Sequence, residues 1–167
     1  MSRLRLLPLL LLAACASRAP EPPAVTFRNT AQPIWSNAVF EPARIAGEWR
    51  EVAAFAPPGA CRPGGASIQP AAGGLEIRGR LCLGGRETAL AGPLDVTGPG
   101  RLLPAGGTEP WWVLWVDTDY RTLAIGTPSG RFGFVLNRGG PLPPDRLTAA
   151  REILEWNGYD LGRLALF

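Results

Sequence analysis

A strict alternation in the middle of the chain is the feature that most restricts its fold. In the segment LEIRGRLCL (residues 75–83), apolar residues and one glycine occupy every second position, and charged residues and Cys82 occupy the positions between them. A period of two is typical of a β-strand with one buried face. We therefore expect a strand here, with Cys82 on its charged, outward face.

Glycine and proline divide the rest of the chain into short pieces. The 167 residues include 21 Gly and 18 Pro, which favours turns over long helices. Many short strands joined by tight turns predict a single all-β domain, either a sandwich or an up-and-down barrel. The further strands are expected at residues 47–55, 66–69, 87–94, 101–103, 111–116, 122–126 and 132–138.

One late segment departs from the strand pattern. DRLTAAREILEWN (residues 145–157) begins with an acidic residue and is followed by Gly158, which is typical of a helix with a C-terminal stop. Its apolar positions form one stripe that needs a sheet to pack against. The stripe consists of Leu147, Ala150, Ile153 and Leu154. A last short strand is expected within residues 159–167.

The first fifteen residues, MSRLRLLPLLLLAAC, are organised like an export signal. Two arginines precede an apolar run at residues 6–12, which is far shorter than the roughly 20 residues of a membrane-spanning helix. Small residues lead up to Cys15, and this arrangement resembles the lipobox of bacterial lipoproteins, whose cysteine is lipidated. The alternative is an ordinary signal peptide in which Cys15 has no role. In the lipoprotein pattern, Ala16 implies an outer-membrane protein that faces the periplasm of a Gram-negative bacterium.

The residues after the signal segment predict an extended tether. Residues 16–39 are rich in proline and poor in large apolar residues, so we expect the folded domain to occupy residues 40–167. All 17 basic residues are arginines, two of them in the signal segment, which leaves 15 arginines against 14 acidic residues. Because these arginines are scattered, a nucleic-acid partner is not expected.

Two cysteines remain besides Cys15. Cys61 and Cys82 form an even pair in an exported chain, so a disulfide between them is the natural interpretation. Closing a loop of this length stabilises a fold by about 3 kcal/mol in the chain-entropy model. The alternative is a reactive thiol pair, although no CxxC spacing, lysine or histidine supports it.

Three stretches, in order, resemble the motifs of the lipocalin family. RIAGEWREVA (residues 44–53) is similar to the first motif, with its G-x-W signature at Gly47 and Trp49. The acidic segment that contains Asp117, Asp119 and Tyr120 is similar to the second motif, a turn between two strands. FVLNR (residues 134–138) is similar to the third motif, which ends a strand with an arginine, here Arg138. With the lipobox, these stretches look most like bacterial outer-membrane lipocalins.

The resemblance implies an eight-stranded antiparallel up-and-down barrel with one C-terminal α-helix packed outside. In such a barrel Trp49 closes one end, Arg138 lies across its indole ring, and Gly47 allows the N-terminal segment to cross closely beneath. The alternative for Trp49 is an ordinary core residue of a strand. Residues 56–110 match no motif of the family, and short strands there imply a small barrel.

The family resemblance and the aromatic content together predict a small hydrophobic ligand, such as a fatty acid or a lysophospholipid. The stretch EPWWVLWV (residues 109–116) is unusually rich in tryptophan. Strand parity places Trp112 outside the barrel and predicts an apolar lining inside it. The candidate lining residues are Phe55, Trp111, Val113, Trp115, Phe132, Phe134 and Leu136. The alternative is that these side chains fill a small barrel as its core, in a structural envelope lipoprotein.

The composition also argues against several kinds of chemistry. The chain has no histidine and no lysine, which excludes a Ser-His-Asp triad, a histidine-bound metal and a lysine Schiff base. No glycine-rich segment has the spacing of a phosphate-binding loop. We therefore expect a binding protein rather than an enzyme, without a cofactor or a metal, that is attached to the membrane through its N-terminal lipid anchor.

Overall fold

The computed structural model describes residues 25–167, so the signal segment, Cys15 and the start of the expected tether lie outside the described residues. Each predicted strand is present, with bounds that differ from the sequence-based ones by a few residues. The strands are β1 Gly47–Phe55, β2 Gly65–Ala71, β3 Gly74–Leu83, β4 Arg86–Gly98, β5 Arg101–Pro104, β6 Trp111–Val116, β7 Thr122–Gly126, β8 Gly133–Asn137 and β9 Leu164–Leu166. The helix α1 is Pro144–Trp156.

The strands form a closed antiparallel barrel. Each strand from β2 to β8 pairs with the next along the chain, and β1 closes the ring by pairing with both β8 and β2. The first half of β1 pairs with β2, whereas its second half pairs with β9, which lies beside the ring as an additional strand. The barrel prediction is thus confirmed, and the sandwich is excluded.

The register defines two different ends of the barrel. Because the strands alternate in direction, the loops that follow β1, β3, β5 and β7 meet at one end, which we call the open end. The loops that follow β2, β4, β6 and β8 meet at the opposite end, which we call the closed end.

The barrel encloses a continuous group of apolar side chains, the interior cluster. It includes Trp49 at the closed end, Ile77 and Leu94 on the long β3–β4 hairpin, and Trp111 and Phe134 near the open end. Trp111 and Phe134 meet edge to face, with ring centroids 5.1 Å apart. These side chains fill most of the length of the barrel.

A second apolar group, the outer cluster, lies on the outside of the barrel under α1. The helix contributes Ala150 and Leu154, both fully buried, and the sheet contributes residues such as Leu114 and Val135. The predicted apolar stripe therefore packs on the barrel wall as expected. Among the described residues, no helix is long and apolar enough to cross a membrane.

The helix also buries a charged residue that its apolar pattern does not reveal. Arg146 is buried, and its guanidinium donates hydrogen bonds to Thr122 Oγ1 at 2.7 Å and to Asn137 Oδ1 at 3.3 Å. Thr122 and Asn137 face each other across β7 and β8. The start of the helix is thus fixed to the sheet by polar contacts, and its later turns are fixed by apolar ones.

The tether predicted for residues 16–39 ends earlier than expected, because residues 25–39 pack along the barrel. Phe27 is buried in the outer cluster, and Arg28 forms a β-bridge with Tyr159. The buried Arg28 guanidinium donates to the carbonyl oxygens of Asn157, Pro128 and Gln32. We call residues 25–40 the N-terminal strap. The composition of residues 16–39 suggested a free linker, but three of the four prolines there precede the strap, and Phe27 and Arg28 bind the strap to the barrel.

The disulfide between Cys61 and Cys82 is formed, with Cα atoms 5.8 Å apart. It joins the loop after β1 to the last residues of β3. The expectation that Cys82 faces outward among charged residues is wrong in one respect, because Cys82 is fully buried. The disulfide-linked loop covers this end of the strand, and strand alternation alone does not show such coverage.

Candidate functional site

The closed end is sealed by an arginine on a tryptophan. The Arg138 guanidinium lies over the Trp49 ring, 4.5 Å from its centroid, in cation–π geometry. Arg138 also donates to three backbone carbonyl oxygens, those of Tyr120, Ala46 and Arg44, at 2.7, 2.7 and 2.9 Å. This is the arrangement that the three sequence motifs imply.

Gly47 makes this close approach possible. Its φ of 134° is unfavourable for any residue with a side chain, and an added Cβ would lie 3.0 Å from Arg138 Nη1. The Trp49 indole N–H donates to the Ile45 carbonyl oxygen at 2.8 Å, so its polar atom is satisfied although the ring is buried. The motif residues therefore have structural functions at this end.

The turn after β6 supports the same seal. Burial raises the pKa of Asp117, but hydrogen bonds from the backbone N–H groups of Thr122 and Arg121 and from the Arg121 side chain outweigh it, and the net pKa is lowered. The charged carboxylate thus holds the turn that presents Tyr120 with a φ of 56°. Asp119 forms an exposed ion pair with Arg121 at 2.8 Å. The Tyr120 hydroxyl accepts the Glu41 N–H at 2.8 Å, which ties the turn to the N-terminal strap.

A cavity of about 1000 Å³ lies at the open end and communicates with the surroundings. Trp111 and Leu90 of the interior cluster line it, together with Leu83 and Phe132, which pack against that cluster. We call it the mouth cavity. It has the size of a small-molecule site and an apolar base.

Two arginines line the mouth cavity without a carboxylate partner among the described residues, Arg86 and Arg131. Both are exposed. The nearby carboxylates have other partners. Glu87 pairs with Arg62 and Arg80, whose hydrogen bonds lower its pKa to about 2.

The acidic side chain that lines the mouth cavity joins two loops. Glu109, in the loop after β5, accepts hydrogen bonds from the Ser129 hydroxyl at 2.5 Å and from the Ser129 N–H at 3.3 Å. Ser129 belongs to the loop after β7. The mouth therefore combines an apolar base with two arginines that have no carboxylate partner within residues 25–167, an arrangement that can bind an amphiphile with a negative head group.

A groove of about 1010 Å³ runs along the outer wall of β1. Val52, Leu147 and Phe167 line it on the outside of the barrel, and the charged side chains Glu48 and Arg50 border it. It is similar in volume to the mouth cavity, but among the described residues of the interior cluster Trp49 alone lines it, at the sealed end. We therefore place the candidate site at the mouth.

Five of the seven predicted lining residues face the inside of the barrel. Trp111, Val113, Phe134 and Leu136 belong to the interior cluster, and Phe132 packs against it. Of these five, Trp111 and Phe132 line the mouth cavity, whereas the other three are core residues below it.

Phe55 and Trp115 lie on the opposite side of the sheet, in the outer cluster. The cause is a pair of β-bulges. The register of β1 shifts between Glu51 and Ala53, and that of β6 shifts between Val113 and Trp115. Each additional residue reverses the parity of those that follow, so the inward assignment of Phe55 and Trp115 is wrong. Trp112 lies outside, as its parity predicts.

Glu51 is a buried carboxylate that the sequence analysis did not select. Only 2% of its surface is exposed, and it accepts backbone N–H groups from Cys82 at 2.8 Å and from Gly64 at 3.2 Å. Burial raises the pKa of Glu51 to about 7, despite these hydrogen bonds. It therefore replaces the missing partner of β3 beside Cys82, just before β2 begins at Gly65.

The rim arginines were also missed, since neither Arg86 nor Arg131 belongs to a recognisable motif. Each directly follows a glycine of a short turn, Arg86 after Gly84–Gly85 and Arg131 after Gly130. Leu83 and Leu90 could have been found, because both continue the inward parity of the β3–β4 hairpin.

A closed eight-stranded antiparallel barrel with one sealed end, one open end and an outer helix is the lipocalin fold. The family model described as "Lipocalin-like domain" matches residues 94–167, which include the second and third motifs but not the first. A comparison with curated protein sequences found no match.

Solved structures with the same fold include two apocrustacyanins and a siderocalin. Lobster apocrustacyanin A1 has 16% sequence identity and a TM-score of 0.54, with 74% of this chain and 77% of that chain covered. The siderocalin Ex-FABP, described as having dual ligand specificities, has 18% identity and a TM-score of 0.54, with 74% of this chain and 93% of that chain covered. Apocrustacyanin C1 is similar, at 16% identity and a TM-score of 0.55, with coverage of 74% and 76%. The fold is thereby shown, and the domain match supports the lipocalin family.

Proposed function

We propose that this protein is a lipid-anchored lipocalin that binds or transports a small hydrophobic ligand in the cell envelope, on the periplasmic side of the outer membrane of a Gram-negative bacterium. The ligand is an amphiphile with one negative head group, either a fatty acid such as palmitate or a lysophospholipid. The observation that carries this proposal is the mouth cavity, where Arg86 and Arg131, which pair with no carboxylate in the described part of the chain, line an opening with an apolar base.

The cavity fits such a ligand better than it fits a neutral one. An acyl chain packed against Trp111, Phe132 and Leu83 loses apolar surface to water, which contributes about 0.8 kcal/mol per buried CH₂. A carboxylate or phosphate at the rim meets Arg86 and Arg131, whose fork of N–H donors suits both groups. Because the interior cluster fills the barrel below, the chain lies in the mouth rather than along the whole barrel axis.

Titration with a fluorescent fatty acid tests the proposal. We expect saturable quenching of tryptophan fluorescence, since Trp111 lines the cavity, and displacement of the probe by palmitate. The fatty alcohol of the same chain length should bind about tenfold more weakly, because it lacks the charge that the arginines bind. No saturation up to tens of micromolar ligand would count against a binding role.

Matched variants assign the binding to the mouth. Phe132→Ala should weaken fatty-acid binding several-fold, whereas Phe167→Ala, at the exposed C-terminus, should leave it unchanged. The double variant Arg86→Gln/Arg131→Gln should reduce the preference for the acid over the alcohol. Its control is Arg50→Gln/Arg151→Gln, which removes two exposed arginines remote from the mouth cavity.

A second candidate is a structural envelope lipoprotein with a filled barrel. The continuous interior cluster favours it, since Trp111, Phe134 and their neighbours occupy the space that a deep ligand would need. The same titration separates the two functions. A structural protein shows no saturable quenching and no difference between the acid and the alcohol.

A further inference from the structure

The described chain begins at the open end of the barrel. The Phe27 N–H donates to the Gly130 carbonyl oxygen at 2.7 Å, and the Thr26 hydroxyl donates to the Ser129 carbonyl oxygen at 3.0 Å. Both acceptors belong to the loop after β7, at the rim. Val25, the first described residue, lines the mouth cavity. From here the N-terminal strap runs along the outer wall, and the chain starts β1 from the closed end.

This start of the strap is held firmly. Phe27 is buried in the outer cluster, and the Arg163 guanidinium lies over its ring, 4.2 Å from the centroid. Arg163 also donates to the Thr26 carbonyl oxygen at 2.7 Å. With the buried Arg28 next in the chain, the strap cannot leave the rim without exposing an aromatic ring and an arginine with three carbonyl partners.

The length of the preceding chain then limits where an anchor on Cys15 can lie. Nine residues lie between Cys15 and Val25, and the ten Cα–Cα steps from one to the other span at most about 33–36 Å when fully extended. A nine-residue strand such as β1 is itself about 30 Å long. An anchor on Cys15 could therefore reach the plane of the closed end only if nearly the whole segment ran back along the barrel.

The rim also has the chemistry of a surface that contacts a membrane. Arg86 and Arg131 are exposed and free of carboxylate partners among residues 25–167. Val25 adds an exposed apolar side chain beside them. Cations around an apolar opening complement a bilayer with anionic headgroups.

We propose that the open end faces the bilayer that carries the anchor, with Arg86 and Arg131 in contact with anionic phospholipid headgroups. The inference rests on the lipid anchor of the proposed function. In this orientation the mouth cavity opens toward the lipid surface, so that a lipid-like ligand passes between bilayer and barrel over a short aqueous distance.

The orientation is tested with the full lipidated protein in vesicles of phosphatidylethanolamine and phosphatidylglycerol. A fluorophore is placed on a single new cysteine, either Thr108→Cys in the loop after β5 or Ala72→Cys in the turn after β2. Both residues are exposed, and they mark the open and the closed end. With a quencher on the lipid headgroup, we expect quenching several-fold stronger at position 108. Equal quenching, or stronger quenching at position 72, would overturn the orientation.

The arginine contact is tested in the same labelled protein. Arg86→Gln/Arg131→Gln should lower quenching at position 108 in vesicles with phosphatidylglycerol and leave it unchanged in purely zwitterionic vesicles. Salt at about 0.5 M should have the same effect, because it screens exposed charges. Arg50→Gln/Arg151→Gln serves as the control. If both double variants behave alike, the rim arginines do not contact the headgroups.

Two further measurements separate this inference from the proposed function. Fatty-acid titration in detergent solution reports ligand binding alone, so binding combined with equal quenching at both positions overturns only the orientation. The mass of the intact protein reports acylation of Cys15. A mature protein without acyl groups overturns the anchor and, with it, the orientation, whereas ligand binding by the barrel can still be measured.

Discussion

The two ends of the barrel use arginine in opposite ways. At the closed end the Arg138 guanidinium has an aromatic ring beneath it and three carbonyl oxygens around it. At the open end, Arg86 and Arg131 have neither carboxylate partners within the described chain nor a ring beneath them. The same side chain is therefore structural where its donors are satisfied, and available to a ligand where they are not. The two roles cannot be distinguished from the residue type. They are distinguished by the groups that each guanidinium contacts.

Loss of the closed-end tryptophan is the largest effect that this contrast predicts. Trp49→Ala removes a ring that is only 3% exposed and leaves Arg138 without its aromatic face, so we expect the free energy of unfolding to fall by about 3–5 kcal/mol. Urea denaturation measures it. Trp35→Ala is the control, because that ring is 64% exposed and should cost less than about 1 kcal/mol. Similar losses of unfolding free energy in both variants would mean that Trp49 at the closed end stabilises the fold no more than an exposed tryptophan does.

Removal of the disulfide between Cys61 and Cys82 tests whether the open end also contributes to the stability of the fold. The bond closes a loop between residues 21 apart in sequence, which corresponds to about 3 kcal/mol. We expect Cys61→Ser/Cys82→Ser to lower the free energy of unfolding by that amount, and addition of a reductant to the native protein to do the same. The reductant should leave the double variant unaffected. A loss as large as that of Trp49→Ala would show that the open end is no less structural than the closed one.

The sequence predicts most of the strands but not the side on which every residue lies. Alternation and turn residues identify β1 and β6 to the residue, because apolar periodicity and chain breaks are local properties. The bulges in both strands arise from pairing with β8 and β7, which are distant in sequence, so parity carried beyond them fails for Phe55 and Trp115. Alternation is reliable as far as the first irregularity in strand pairing.

The candidate site was less predictable than the fold for the same reason. The contact between Trp49 and Arg138 follows from motif resemblance, since 89 positions separate the two residues in the chain. No motif marks Arg86 or Arg131, which meet only because separate hairpins end at one rim. The strap shows the converse error, because the composition of residues 16–39 did not reveal that Phe27 and Arg28 are buried and bind the strap to the barrel.

The buried carboxylate of Glu51 predicts that the stability of the fold depends on pH. Its pKa of about 7 in the folded protein lies above its usual value of 4.5, so the folded state binds more protons between these values. Stability is therefore highest below about pH 4.5 as far as this group is concerned, and it decreases as the pH rises toward 7. At 1.36 kcal/mol per pKa unit, the difference between 4.5 and about 7 corresponds to a decrease of about 3 kcal/mol.

The chain has no histidine, and the lowered pKa values of Asp117 and Glu87 place their titration at more acidic pH. We expect Glu51→Gln to flatten the dependence of the unfolding free energy on pH between 5 and 8, measured by urea denaturation. Glu48→Gln is the control on the exposed face of the same strand. An unchanged slope in Glu51→Gln would mean that the buried carboxylate ionises normally.

The smallest effect comes from exchanging arginine for lysine, which keeps the charge and removes the planar fork of donors. At position 138 a lysine cannot serve three carbonyl oxygens in different directions and cover the indole ring, so Arg138→Lys should cost about 1–2 kcal/mol of unfolding free energy. At position 131 no such partners exist, and Arg131→Lys should change stability by less than about 0.5 kcal/mol. Its effect should instead appear as weaker binding of a fluorescent fatty acid, because the bidentate contact with the carboxylate is lost. Equal losses of stability at positions 138 and 131 would contradict the division between a structural and a ligand-facing arginine. A loss of stability confined to position 138 would support this division.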